Sequence, residues 1–164
     1  MKFSNPLLLA VASLTAAQTT TPRTTPVLGA VGIAVASIPN SVKFYTEVLG
    51  LKPTGQTYNT PQFDEVVLSL PYPNAGSAIV LMQWKTPKNT TNIPVKLAFY
   101  VPDVKAQIEK IRAAGKEIVL EPGSGKIGGV TLPTAMARDV DGYLLEFNPL
   151  SLLTAAPAKK PGRV

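Results

Sequence analysis

Two short segments, AVGIAV from Ala30 and KLAFYV from Lys96, stand 66 residues apart, and each opens the same succession of elements. After the first comes a helical stretch, SVKFYTEVLG, with helix-start chemistry at Pro39, Asn40 and Ser41 and a stop at Gly50. Three strand-like runs follow, LKPTGQTY, FDEVVLSLP and SAIVLMQW, separated by Pro, Asn and Gly. After the second comes VKAQIEKIRAAG, with Val104, Ile108 and Ile111 on one helical face and Gly115 as its stop, then KEIVLEP, TLPTAMARD and YLLEFN. A strand, a helix and three strands, given twice, predict an α+β chain of two tandem βαβββ modules, 27–84 and 95–149. The same offset carries Val80 onto Glu146, so the first and last strands of both modules share one spacing.

With 164 residues, 45% of them apolar, the chain can bury one ordinary core. The net charge of +6 does not make a phosphate-binding surface. Five of the sixteen basic residues, Lys2, Arg23, Lys159, Lys160 and Arg163, lie in the terminal segments, leaving eleven against ten acidic residues between Val27 and Leu150. No nucleic-acid partner is expected. Residues 1–17, MKFSNPLLLAVASLTAA, read as an export signal: a positive charge, a short apolar run, then small residues at Thr15 and Ala17. The alternative is a first helix packed on the domain. The export reading makes 18–26 a Thr/Pro linker, 150–164 a disordered basic tail, and the mature protein periplasmic or secreted, with no membrane partner after cleavage. Asn89-Thr90-Thr91 is a glycosylation sequon, which matters only in a host that glycosylates exported proteins.

GYLLEFN alternates as a strand, placing Leu144, Glu146 and Asn148 on one face and Tyr143, Leu145 and Phe147 on the other. A carboxylate amid apolar strand residues is costly to bury without a partner. The chain has no histidine and no cysteine to supply one. Hydrolase triads in their usual form are thereby excluded. The glycine-rich EPGSGKIGG is not a Walker loop, because Leu120 stands where that motif needs glycine.

FYTEVLGLK in the first module and RDVDGYLLEFNP in the second resemble the glyoxalase I, bleomycin-resistance and extradiol-dioxygenase superfamily, also called the vicinal oxygen chelate superfamily, and its glyoxalase I branch above all. The resemblance covers about Val27 to Pro149. It implies two βαβββ modules forming a cupped, incomplete β-barrel, the glyoxalase/bleomycin resistance fold, around a site for a small organic molecule. It also implies a site formed within one chain or across a homodimer. Metal-dependent members hold an ion with one residue from the first strand and one from the last strand of each module, usually histidine or glutamate. The matching positions here are Ala30, Val80, Lys96 and Glu146, of which Glu146 alone is a usual ligand. No metal and no other cofactor is therefore expected, and Asp64, Glu65 and Asp141 lack calcium-loop spacing.

If first and last strands are sheet neighbours, Ala30 faces Val80 and Lys96 faces Glu146. Lys96 then answers the question posed by Glu146, as a dehydrated ion pair standing where an ion would be. Such a pair is either a candidate catalytic couple or a structural plug in a dead site. Strand alternation puts Ala30, Gly32, Ala34, Ala78, Val80, Met82, Ala98, Tyr100, Leu144 and Asn148 on the same face. Mostly small, they are expected to line a ligand pocket; the alternative is a narrow interior filled by its own side chains. The EPGSGKIGG loop is expected at the pocket rim. Three functions stay open: a metal-independent lyase or isomerase with Glu146 as base and Lys96 as electrophile, a sequestering protein without catalysis, and a lactoylglutathione lyase with a non-canonical ion.

Overall fold

The computed structural model describes residues 28–70, 77–90, 93–127 and 130–154. The segments expected as an export signal, a Thr/Pro linker and, from residue 155 onward, a disordered tail lie outside the described residues.

In the first module, β1 (Ala30–Ala34) leads to α1 (Ile38–Lys43), which starts one step earlier than Pro39 because Ser37 caps it by accepting the Asn40 N–H at 3.4 Å. Pro39 sits in the first turn, where its missing N–H costs nothing. The helix widens into a π-helical turn over Phe44–Val48, and Gly50, at φ 79°, takes the left-handed backbone that lets the chain leave it. The meander β2 (Lys52–Asn59), β3 (Phe63–Ser69) and β4 (Ala78–Trp84) completes the module.

The second module repeats this with β5 (Lys96–Val101), α2 (Val104–Ala113) capped by Asp103, β6 (Ile118–Leu120), β9 (Ala135–Arg138) and β10 (Leu144–Pro149). Between β6 and β9 the EPGSGKIGG segment, expected as a rim loop, instead contributes β7 (Gly125–Ile127), which pairs with β8 (Val130–Leu132) as a separate hairpin. TLPTAMARD therefore divides in two. Pro133, with no N–H to donate, stands at the break. The tail is also corrected at its start, because Ser151–Thr154 form a short helix, α3.

The sheets run β1-β4-β3-β2 and β5-β10-β9-β6, each open at its edges, as two βαβββ units require. The first and last strands of each module pair in parallel, Ala30 opposite Ala78 and Lys96 opposite Leu144. Both members of the second pair lie 66 residues after those of the first, so the repeat read from the sequence holds in the strand register. One face of the sheets is packed by helices: Ile33, Leu81, Phe99, Leu145 and Phe147 form a single buried cluster with Phe44, Tyr45, Ile108 and Ile111.

A polar clamp joins the modules beside that core. Asp139, buried, accepts hydrogen bonds from the Tyr45 hydroxyl at 2.7 Å and from the backbone N–H groups of Tyr143 at 2.8 Å and Asp141 at 2.9 Å. Asp141 accepts the Ala36 N–H at 2.8 Å and the Ser41 hydroxyl at 2.6 Å, and the Tyr143 hydroxyl accepts the Ala34 N–H at 3.1 Å. Gly142, at φ 92°, makes the turn that brings these groups together.

Burial, and then the Asp139 carboxylate, hold the Tyr45 hydroxyl well above the usual tyrosine range, and burial raises Tyr143 as well. For a group whose folded pKa is raised, the stabilisation is complete below the unfolded value of about 10 and is lost as pH climbs through the folded value. Alkaline unfolding is accordingly expected to begin above about pH 10 and to be delayed in Tyr45→Phe relative to its own neutral stability. Tyrosinate absorbance and circular dichroism followed together through the titration check this. Ionisation of all tyrosines with no loss of structure would contradict it.

Candidate functional site

Lys96 opens β5, and Glu146 lies on the neighbouring β10. The register sets Lys96 opposite Leu144 and Glu146 opposite Ala98, and likewise Ala30 opposite Ala78 and Val80 opposite Gly32. The expected face-to-face placement is thus corrected by two residues: each pair is a diagonal on one sheet face. A diagonal is within reach of a long side chain. Lys96 Nζ accordingly reaches Glu146 Oε2 in an ion pair.

The pair is less dehydrated than expected, since the Lys96 side chain is 47% exposed and that of Glu146 16%. Water around the ammonium screens the attraction, so the coupling is expected at about 1 kcal/mol or less. A double-mutant cycle with Lys96→Met and Glu146→Gln in urea measures it. A coupling of about 3 kcal/mol would mean that the pair is closed off from solvent.

The other residues of this face are mostly open. Ala30, Gly32, Ala98 and Tyr100 are exposed, while Ala34, Ala78, Val80, Met82 and Leu144 are partly buried. At Gly32 the backbone lies close to Met82, whose Sδ would stand 2.9 Å from an added Cβ and would have to swing aside. Ala78 and Ala98, with Lys96, border a cavity of about 250 Å³ at the seam between modules, whose remaining wall, including Leu51, Leu97 and Phe99, comes largely from the opposite face. Asn148 departs from its expected pocket role: it is buried, and its Oδ1 accepts the Thr134 hydroxyl at 2.8 Å.

The donor chemistry does not fit a superfamily metal. Ala30 and Val80 carry no donor atom, Lys96 is a cation, and Glu146 is engaged by Lys96. Among the described residues no three His, Cys, Asp or Glu side chains group as ion ligands. What the arrangement does offer is a carboxylate able to accept a proton, beside an ammonium able to stabilise an oxyanion.

Sequence reasoning missed the clamp. Its residues come from the two segments that carry the family resemblance, Tyr45 on one side and Asp139, Asp141 and Tyr143 on the other, but nothing in the sequence pairs them. Those signatures encode the joint between modules, and the second of them, Arg138 to Pro149, also contains Glu146.

An open pair of four-stranded βαβββ sheets is an architecture shared with known proteins. The sequence profile of the Glyoxalase/Bleomycin resistance protein/Dioxygenase superfamily matches residues 27–147. Lactoylglutathione lyase of Haemophilus influenzae is 29% identical over 119 residues, spanning 70% of this chain and 86% of that protein. Among solved structures, the trypanothione-dependent glyoxalase I of Leishmania major superposes with a TM-score of 0.61 at 22% identity, over 79% of this chain and 91% of that one. TnmS3, an antibiotic binding protein from a Streptomyces species, gives a TM-score of 0.60 at 17% identity, over 78% and 98%. The chain belongs to the glyoxalase/bleomycin resistance protein/dioxygenase superfamily.

Proposed function

We propose that this is an exported glyoxalase-like protein with a degenerate metal site, acting on a small carbonyl compound as a metal-independent lyase or isomerase. One observation carries the reading: Lys96 and Glu146 form an ion pair on two of the four strand positions that the superfamily's metal-dependent members use for ligands. Glu146 removes a proton from the carbon next to the carbonyl, Lys96 stabilises the enolate oxygen, and the protonated Glu146 returns the proton to the neighbouring carbon. The lactoylglutathione lyase relative supports a carbonyl substrate of this kind.

The test is exchange of substrate hydrogen in deuterated water, followed by NMR with metal-stripped protein and a panel of α-hydroxy and α-oxo carbonyl compounds. Glu146→Gln is expected to reduce exchange at least a hundredfold. Equal exchange by the variant would overturn the assignment. Elemental analysis of native protein is expected to find no stoichiometric zinc, nickel or iron; about one ion per chain, with activity lost on chelation, would favour a lactoylglutathione lyase with a non-canonical ion. A second reading, sequestration without chemistry, draws on the openness of this face and on the fold shared with the antibiotic binding protein. Tight binding with no exchange in either protein would select it. Sequencing of exported protein is expected to begin near Gln18.

A further inference from the structure

Gln107 is the one polar residue buried in α2, beside Val104, Ile108 and Ile111. An amide in that position costs free energy unless both of its ends are satisfied. The donor end is satisfied: Nε2 donates to the Val48 carbonyl oxygen, at the end of the π-helical turn, at 2.9 Å. A carbonyl oxygen only accepts, so this bond fixes which end of the amide is which and turns Oε1 away. Among the described residues nothing donates to Oε1, and no side-chain nitrogen or oxygen lacking a partner is sealed from solvent. Gln107 is 8% exposed, and that small opening therefore includes its acceptor end.

The opening belongs to a cavity of about 290 Å³ that Gln107 lines with Leu49, Phe99, Ala106 and Phe147. Its volume is close to the lower end of ordinary ligand pockets, about 300 Å³. Phe99 and Phe147 stack with centroids 5.7 Å apart and ring planes at 18°, on the sheet face opposite Lys96 and Glu146. Neither Lys96 nor Glu146 borders the cavity, so it is distinct from the candidate site. Apolar walls with one unpartnered acceptor suit a ring that carries one hydrogen-bond donor.

We infer that this cavity binds a phenol, its ring packed against Leu49, Phe99 and Phe147 and its hydroxyl donating to Gln107 Oε1. An aromatic ring gains offset or edge contacts with the phenylalanine pair beyond the area it buries, which an aliphatic alcohol making the same hydrogen bond does not. The inference stands apart from the catalytic reading, since it calls on none of the same side chains.

The test is titration of the full chain with phenol, followed through the backbone amide resonances by heteronuclear NMR. Saturable displacement of the Leu49, Phe99 and Gln107 resonances is expected. Anisole keeps the ring and loses the donor, and is expected to bind about tenfold more weakly. Gln107→Met keeps the length of the side chain without the acceptor, and is expected to bind the two compounds alike. Ala106→Leu, at an exposed helical position, adds bulk to the cavity wall and is expected to abolish binding of both while keeping the circular dichroism of the native fold. Native protein showing no saturable displacement, or displacement only away from the cavity, would overturn the inference, as would undiminished phenol binding by Ala106→Leu. Anisole binding native protein as tightly as phenol would overturn the role of Gln107.

Discussion

Replacing Asp139 with alanine is expected to lower folding stability by about 3–5 kcal/mol, a drop of roughly 10–15 °C in melting temperature for a domain of this size. The magnitude follows from what the carboxylate satisfies. It is 4% exposed and accepts three hydrogen bonds, one from the Tyr45 hydroxyl and two from backbone N–H groups of its own turn. Each donor stranded in the interior costs about 1–3 kcal/mol, and water reaching the partly open turn recovers some of that sum. Asp139→Asn keeps an acceptor and is expected to lose about 1–2 kcal/mol. Urea unfolding of both variants is the check; a loss below about 1 kcal/mol in the alanine variant would show that the modules are held together by apolar packing alone.

The same pair of proteins carries a pH signature. Burial raises the Asp139 carboxyl above the ordinary range, outweighing the hydrogen bonds from Tyr45, Tyr143 and Asp141 that act to lower it. A carboxyl raised in the fold contributes stability that is complete below the unfolded value of about 3.9 and is lost as pH rises through the folded value. The advantage of the native protein over Asp139→Asn is therefore expected to be largest in acid and to shrink as pH rises through that window.

The sequence made the periodic features legible and left hidden those set by three-dimensional encounter. The 66-residue repeat and the inward side of each strand follow from alternation and turn residues, the pairing of first and last strands was implied by the family resemblance, and the register bears out the repeat and the pairing. The two-residue slip between Lys96 and Glu146 did not follow, because a shared offset matches equivalent positions of the two modules and does not say which residues lie opposite across strands. Nor did the openness of the face. Alternation separates the two sides of a sheet, but what covers the polar side depends on how the modules meet. The hairpin β7 and β8 was missed because Pro133 reads equally well as a kink within one strand. The clamp was hidden for a different reason: Tyr45 and Asp139 are 94 residues apart, and neither pattern nor propensity links positions at that distance.

Rebuilding the four strand positions as ligands is expected to turn a chain without a fitting metal site into one that binds zinc or nickel. Ala30→His, Val80→Glu and Lys96→His, made together, remove the cation that engages Glu146 and install two imidazoles and one carboxylate, which with Glu146 gives two of each. Ala30 and Val80 stand in the same diagonal relation as Lys96 and Glu146, which already touch, so each module can close its own pair of donors. Lys96 and Ala78 border one cavity at the seam, so the opening of β5 lies beside the end of β4 that pairs with Ala30. The apo form is expected to be less stable than the native protein, having exchanged small or paired residues for unpaired polar ones. Metal binding only the folded state then restores about 2.7 kcal/mol at a hundredfold excess over the dissociation constant, read as a rise in melting temperature that the native protein does not show. Glu146→Gln in the rebuilt chain is expected to abolish most of that rise. A rebuilt chain that folds and takes up no metal would mean that the four positions, though matched by the repeat, do not converge on one site, and the Lys96 and Glu146 pair would then have to be explained as a feature of the second module alone.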